Sequence, residues 1–183
     1  MEGLKNKVVI VINGKGGSGK DAVCNIVAKR YKVTTISAIT PIKNVAAVAG
    51  WNGEKDDKSR KMLSDLKMLF IEYNDLPYKY IMGEIDKFLA SENEIMFIHC
   101  REKSEIDKVI RGAPVKVYTL LIKRTDEFFV QREYGNASDD LVESYDYDFR
   151  YVGNNKTKLD LEKSFNEYFD TVMLPVFMAA EAE

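Results

Sequence analysis

Five β-branched residues in a row, Val8-Val9-Ile10-Val11-Ile12, lead through Asn13 directly into Gly14-Lys15-Gly16-Gly17-Ser18-Gly19-Lys20-Asp21-Ala22. The apolar run reads as a strand buried on both faces. After Lys20, the residues Val23, Ile26, Val27 and Arg30 fall at i, i+3, i+4 and i+7, the period of a one-sided helix. The glycine-rich stretch is therefore the turn between a buried strand and a helix. Backbone N–H groups can wrap a chain of phosphates only where side chains do not block the approach, and the four glycines within residues 14–19 remove that obstacle. Lys20 then reaches the outer phosphates, and the helix beginning there turns its partly positive end toward the anion. The spacing is the G-x-x-x-x-G-K frame of a nucleoside triphosphate site, in the strand–loop–helix setting that frame requires. Gly14, Lys15, Gly16, Gly17, Ser18, Gly19, Lys20, Asp21 and Ala22 are thus the expected ATP-binding segment. Its last motif position carries Asp21 where a hydroxyl is usual. A carboxylate is a good hard ligand, so Asp21 is the expected protein ligand for Mg²⁺.

Four further apolar runs extend the pattern: Val33–Ala38, Glu94–His99, Val115–Lys123 and Tyr145–Val152, with Lys7–Asn13 as the first strand. Helical periodicity alternates with them. Over Lys58–Tyr73 the residues Met62, Leu63, Leu66, Leu69 and Phe70 recur as a core-facing stripe, which leaves Arg60, Ser64 and Lys67 on the outer face. A last helix opens with Thr157-x-x-Asp160, turns Leu161, Phe165, Tyr168, Phe169, Val172 and Met173 to one side, and is expected to stop near Pro175. Strands alternating with helices imply an α/β fold: a three-layer αβα sandwich around a mostly parallel sheet of about five strands, of the P-loop NTPase type. One domain over residues 1–183 is expected, with a small charged lid at about 124–142.

Composition narrows the partners. Lys plus Arg total 27 against 29 Asp plus Glu, a net charge of −2, so no electrostatic footprint for nucleic acid or an anionic membrane is present. Two cysteines and one histidine do not furnish a zinc site by themselves. Few cysteines and no secretory leader point to a reducing cytoplasm. No apolar run approaches the roughly 20 residues of a membrane span. A monomer or a homodimer acting on small nucleotides is the expectation.

Phosphoryl transfer asks a protein mainly for positioning and positive charge around the moving oxygens. In a parallel sheet, ligands sit beyond the carboxyl ends of the strands. The cations expected there are Lys20 after the first strand, Lys43 after Ser37 and the second, Arg101 after the third, and Arg124 with Arg132 after the fourth. Lys20, Arg101, Arg124 and Arg132 are the expected catalytic charges. Ser37, Lys43, Arg60, Lys67 and Arg101 are expected around the acceptor, with Arg60 gripping its phosphate by a bidentate fork. Each cation has a plainer reading as a solvated surface charge. Strand three lacks the Asp that often ends such a strand and has His99-Cys100 instead; His99 is read as a semi-buried, satisfied histidine, with a metal-ligand or base role as the alternative. Trp51, Tyr73, Tyr78 and Tyr80 are stacking candidates for a base or, alternatively, core.

With these residues assembled, the chain resembles the phage-type deoxynucleoside monophosphate kinases and the related animal-type phosphomevalonate kinases. Their loop ends Ser-Gly-Lys-Asp, as do Ser18-Gly19-Lys20-Asp21 here. Ser37 through Lys43, Arg60-Lys61-Met62-Leu63, and His99-Cys100-Arg101 followed by Glu102 and Glu105 resemble further family segments. Tyr145-Asp146-Tyr147 and Gly153-Asn154-Asn155 resemble a Tyr-Asp-Tyr strand and the turn after it, which in relatives lies near the adenine and so implies a nucleotide role for Asn154. The resemblance implies ATP- and Mg²⁺-dependent phosphorylation of a small phosphorylated acceptor, above all a nucleoside monophosphate; His99 departs from the family Asp. Two other readings stay open. Lys15-Gly16-Gly17-Ser18-Gly19-Lys20 also resembles the deviant loop of the partition and cell-division ATPases, which implies an ATP-gated dimerisation switch. The missing strand-three Asp is compatible with a nucleotide binder of little turnover.

Overall fold

The computed structural model describes residues 4, 6–54, 56–125, 142–154 and 157–180. Arg132 and all but the ends of the expected lid lie outside the described residues. The strands are β1 (Val8–Asn13), β2 (Val33–Ser37), β3 (Ile95–His99), β4 (Val117–Arg124) and β5 (Phe149–Gly153). They form one sheet in the order β2-β3-β1-β4-β5, with every neighbouring pair parallel. Parallel pairing forces each connection to cross a face of the sheet; helices make the described crossings from β1 through to β4, and two more follow β5. They are α1 (Lys20–Ala28), α2 (Thr40–Val48), α3 (Asp57–Asn74), α4 (Leu76–Leu89), α5 (Lys103–Gly112), α6 (Lys158–Tyr168) and α7 (Leu174–Ala179).

The period-two geometry of β1 divides the core. Val8, Ile10 and Ile12 face one side, where Val23, Ile26 and Val27 of α1 meet Phe165, Phe169, Met173 and Phe177 from the end of the chain. Val9 and Val11 face the other, against Ile81, Ile85 and Phe88 of α4 and Ile106 and Val109 of α5. Every residue of β1 is buried. Each fully buried Val or Ile contributes about 1.5–3 kcal/mol, so β1 is a firmly held strand to which a loop can be attached. Its carboxyl end delivers that loop to the middle of the sheet edge. Beside it stand the ends of β3 (His99) and β4 (Arg124); Ser37 of β2 and Gly153 of β5 lie one strand further out.

Three expectations need correction. Strand five starts at Phe149 instead of Tyr145, because the Asp148 carboxylate accepts from both Thr119 N and Thr119 Oγ1 at 2.7 Å and takes the place of a ladder bond. Before it, Val142–Ser144 form a 3₁₀ turn. The last helix does not stop at Pro175: a π-helical turn over Phe169–Met173 precedes α7, and Pro175 falls in the first turn of α7, where its missing N–H is tolerated. The Thr157–Asp160 capping box forms as expected. Finally, the α3 stripe does not reach the sheet core. Leu69 is exposed, Lys67 is the helix's one buried residue, and α3 packs mainly against α2 and α4.

Candidate functional site

The loop after β1 is fixed at its root by Asn13, which is fully buried. Its Oδ1 accepts from Gly14 N at 2.8 Å, while its Nδ2 donates to Arg101 O at 3.2 Å and to Tyr147 Oη at 2.8 Å. Tyr147 in turn donates to Val142 O at 2.8 Å. One amide thus ties the start of the loop to the segments that follow β3 and precede β5. Gly14 cannot be replaced at this root: it has a φ of +149°, and a Cβ there would lie 2.4 Å from Ile122 O.

At its far end the loop enters α1 through Gly19, whose φ of +99° belongs to the left-handed region. No side chain caps α1. The N–H groups of its first turn therefore face the loop without a side-chain acceptor, which is the arrangement an anion completes. Lys20 Nζ donates back to Gly14 O at 2.6 Å and Lys15 O at 3.0 Å, so the ammonium lies over the mouth of the ring that the loop makes. Ser18 Oγ is buried without a hydrogen-bond partner among the described residues. An uncapped helix start, a buried orphan hydroxyl and a lysine held on its own loop's carbonyls fit a triphosphate. A narrow crevice of about 20 Å³ borders the loop, lined by Lys15, Ser18, Lys123, Arg124 and Glu143 among others. Glu143 Oε1 lies 3.8 Å from Lys15 Nζ, and its Oε2 accepts from Lys123 Nζ at 2.6 Å.

On the β3 side, Asp21 stands in the first turn of α1 with its side chain 93 % exposed, and its Oδ1 is 3.7 Å from His99 Nε2. The same nitrogen is 3.8 Å from Cys24 Sγ. Burial pushes His99 below the usual histidine range, with Lys20 and Arg101 acting in the same direction against Asp21; the ring is neutral near neutral pH. Burial pushes the Cys24 and Cys100 thiols up to about 12, so neither is a thiolate. Asp21 and His99 are therefore the donors that could hold a divalent cation next to a phosphate. Among the described residues no group of three or more His, Cys, Asp or Glu side chains could hold a metal on its own.

Of the remaining expected residues, those at or after the ends of β2, β3, β4 and β5 lie along the same edge. Ser37 ends β2 and is half-buried; Lys43, one turn into α2, is exposed. Arg60 is exposed in the first turn of α3, and Arg101 is exposed directly after β3. Lys67, expected on the outer face of its helix among the acceptor residues, is instead buried, and its ammonium pairs with Glu102 after β3. Arg124 ends β4 and is half-buried, and Asn154 is exposed just past β5. At about 4.8 Å per strand, β5 lies roughly 10 Å to the side of β1, and the register carries Gly153 three residues beyond Asn13 along the strands. Of the stacking candidates, Tyr78 and Tyr80 pack against the core formed by α4 and α5, as their plainer reading held; Tyr73 is exposed. Asn13 and Glu143 were not anticipated, and Tyr147 only as part of the Tyr-Asp-Tyr resemblance. A polar residue closing a wholly apolar strand was the available signal for Asn13; the other two are brought in only by the return of the chain to β5.

No protein-family model matches the chain, and no curated protein matches it significantly. Solved structures do. The Thermus thermophilus protein TT1252 is 15 % identical with a TM-score of 0.52, covering 92 % of this chain and 99 % of its own. A candidate kinase from Chloroflexus aurantiacus is 10 % identical with a TM-score of 0.51, covering 89 % and 98 %. Shikimate kinase from Bacteroides thetaiotaomicron is 12 % identical at a TM-score of 0.48, covering 91 % and 98 %. The fold is an α/β sandwich around a five-stranded parallel sheet, as the strand–loop–helix pattern implied. No described helix is long and apolar enough to cross a membrane.

Proposed function

We propose that the chain catalyses ATP-dependent phosphoryl transfer to a small phosphorylated acceptor, a nucleoside or deoxynucleoside monophosphate. The observation that carries this reading is the loop of residues 14–20, rooted on buried β1 and opening into an uncapped helix, with Lys20 over its mouth. Main-chain N–H groups from Gly14 to Ala22 surround the β- and γ-phosphates. Lys20 exchanges its loop carbonyls for the outer phosphate oxygens, a contact that strengthens as charge shifts toward the leaving group. Asp21 would hold Mg²⁺, whose chemistry is to neutralise charge across the phosphates. Arg101 and Arg124 add positive charge from the ends of the two strands that flank β1. Arg60 grips the acceptor phosphate, while Lys67, held by Glu102, positions that carboxylate at the acceptor side. Asn154 lies on the adenine side.

Lys15 argues for the kinase reading over the dimerisation switch. Its ammonium is only partly exposed and lies beside Glu143 of its own chain, so it is turned inward. An ADP-release assay over a panel of nucleoside monophosphates and phosphomevalonate, with shikimate as a non-phosphorylated control, tests the proposal. Turnover that depends on a monophosphate is the expected result. Turnover with shikimate alone, or acceptor-independent hydrolysis that rises with protein concentration, overturns it.

A further inference from the structure

His99 ends β3 in register with Ile12, one residue short of the root of the phosphate loop. That register puts a nitrogen donor on the neighbouring strand, beside the start of the loop and the first turn of α1. Its Nε2 is 3.7 Å from Asp21 Oδ1. Two donors sharing one cation at about 2.1 Å stand roughly 3.0 Å apart at right angles and up to about 4.2 Å apart when opposed. The observed separation lies inside that window. The imidazole is fixed by burial, with only 16 % of its side chain exposed, whereas the Asp21 carboxylate projects into solvent and can adjust to a cation. No third protein donor joins them among the described residues, so phosphate oxygens and water must complete any coordination shell.

This donor set differs chemically from two carboxylates. It brings one negative charge instead of two, which weakens electrostatic capture of Mg²⁺. It also brings a neutral nitrogen, which first-row ions accept more readily than Mg²⁺ does. We propose that His99 is a direct ligand of the nucleotide-bound cation, paired with Asp21, and that this pair tunes the site toward Mn²⁺ or Co²⁺ over Mg²⁺. The inference rests on the triphosphate reading of the loop and deepens it.

His99 is the chain's single histidine, which makes the test site-specific. Full-length protein without an affinity tag is loaded with Mn²⁺ and a non-hydrolysable ATP analogue, and binding is first verified by calorimetry. Electron spin-echo modulation of the bound Mn²⁺ is then compared between unlabelled protein and protein carrying ¹⁵N-histidine. The expected result is a nitrogen modulation that changes from ¹⁴N to ¹⁵N frequencies with the label. His99→Asp should remove that modulation and lower the ratio of Mn²⁺ to Mg²⁺ affinity about tenfold. A bound Mn²⁺–nucleotide complex whose spectrum ignores the label overturns the assignment of His99 and leaves the phosphate loop standing. Failure of the Mn²⁺–nucleotide complex to bind at all removes the loop reading, and this inference falls with it. The labelled wild-type comparison needs no substituted protein, so folding of the variant does not limit the result.

Discussion

Helix α1 has nine residues and buries four of them, Val23, Cys24, Ile26 and Val27, against β1 and the C-terminal helices. Helix α3 has 18 residues and buries one, Lys67, while Met68, Leu69 and Tyr73 stay 61 %, 57 % and 77 % exposed. Both helices approach the same edge of the sheet. The first carries a loop whose proposed function depends on main-chain amides, and its apolar face locks it to the sheet. The second carries side chains proposed to meet an acceptor, and it is anchored through neighbouring helices and ion pairs such as Lys67–Glu102. Regions with few buried contacts open at low free-energy cost, so the acceptor side is the half of the molecule suited to move when substrate binds.

The largest effect that would break this contrast is chemical. Lys20→Ala should depress kcat by about 10²-fold or more, because the ammonium acts where charge develops in the transition state. Steady-state kinetics with saturating acceptor provide the check, and an unchanged kcat would remove Lys20 from its role. Next come the two helices themselves. Ile26→Ala in α1 should cost about 2–5 kcal/mol of stability, whereas Leu69→Ala in α3 should stay within about 0.5 kcal/mol. Urea denaturation of the pair measures the difference directly; equal losses would dissolve the contrast.

How much of this was legible in the sequence follows the same division. The β1–loop–α1 unit is local, and its residues are consecutive, so spacing and glycine content were sufficient to place it. The parallel sheet followed from alternating periodicities, and with it the gathering of Lys20, Arg101 and Arg124 at one edge. The face of α3 was misread because helical periodicity reports that a stripe is apolar and not what covers it; here the partner of Lys67 is Glu102, 35 residues away. Asn13–Tyr147 and Lys15–Glu143 escaped for the same reason, since chain return brings them together and no short motif encodes it. The start of β5 was misjudged because Asp148 mimics a ladder partner, a substitution that pattern alone does not reveal.

Two smaller effects sharpen the comparison. Lys67→Met removes the inward anchor of α3 and leaves Glu102 unpaired; stability should fall by roughly 1–3 kcal/mol, less than for a fully buried pair because Glu102 is partly exposed. The acceptor KM should rise severalfold while the ATP KM holds, and a change confined to ATP would contradict the placement of α3. The smallest effect is a pH slope on the loop side. Burial lowers the His99 pKa in the folded state, so the unfolded chain binds the proton more readily. The stability this provides is complete above about pH 6.5 and is lost as pH falls through the folded value. Denaturation of ligand-free protein at stepwise lower pH should show that decline, and His99→Gln should flatten it; an unaltered slope would place the titration elsewhere.

The account turns on whether residues 14–21 enclose a triphosphate. Isothermal calorimetry of the full chain with ATP and a divalent cation, Mg²⁺ and Mn²⁺ in parallel, asks this without requiring an acceptor or turnover. Saturable heat from a single site, lost in Lys20→Ala, is the predicted result. The absence of heat for any purine triphosphate up to millimolar concentration with either cation would contradict it.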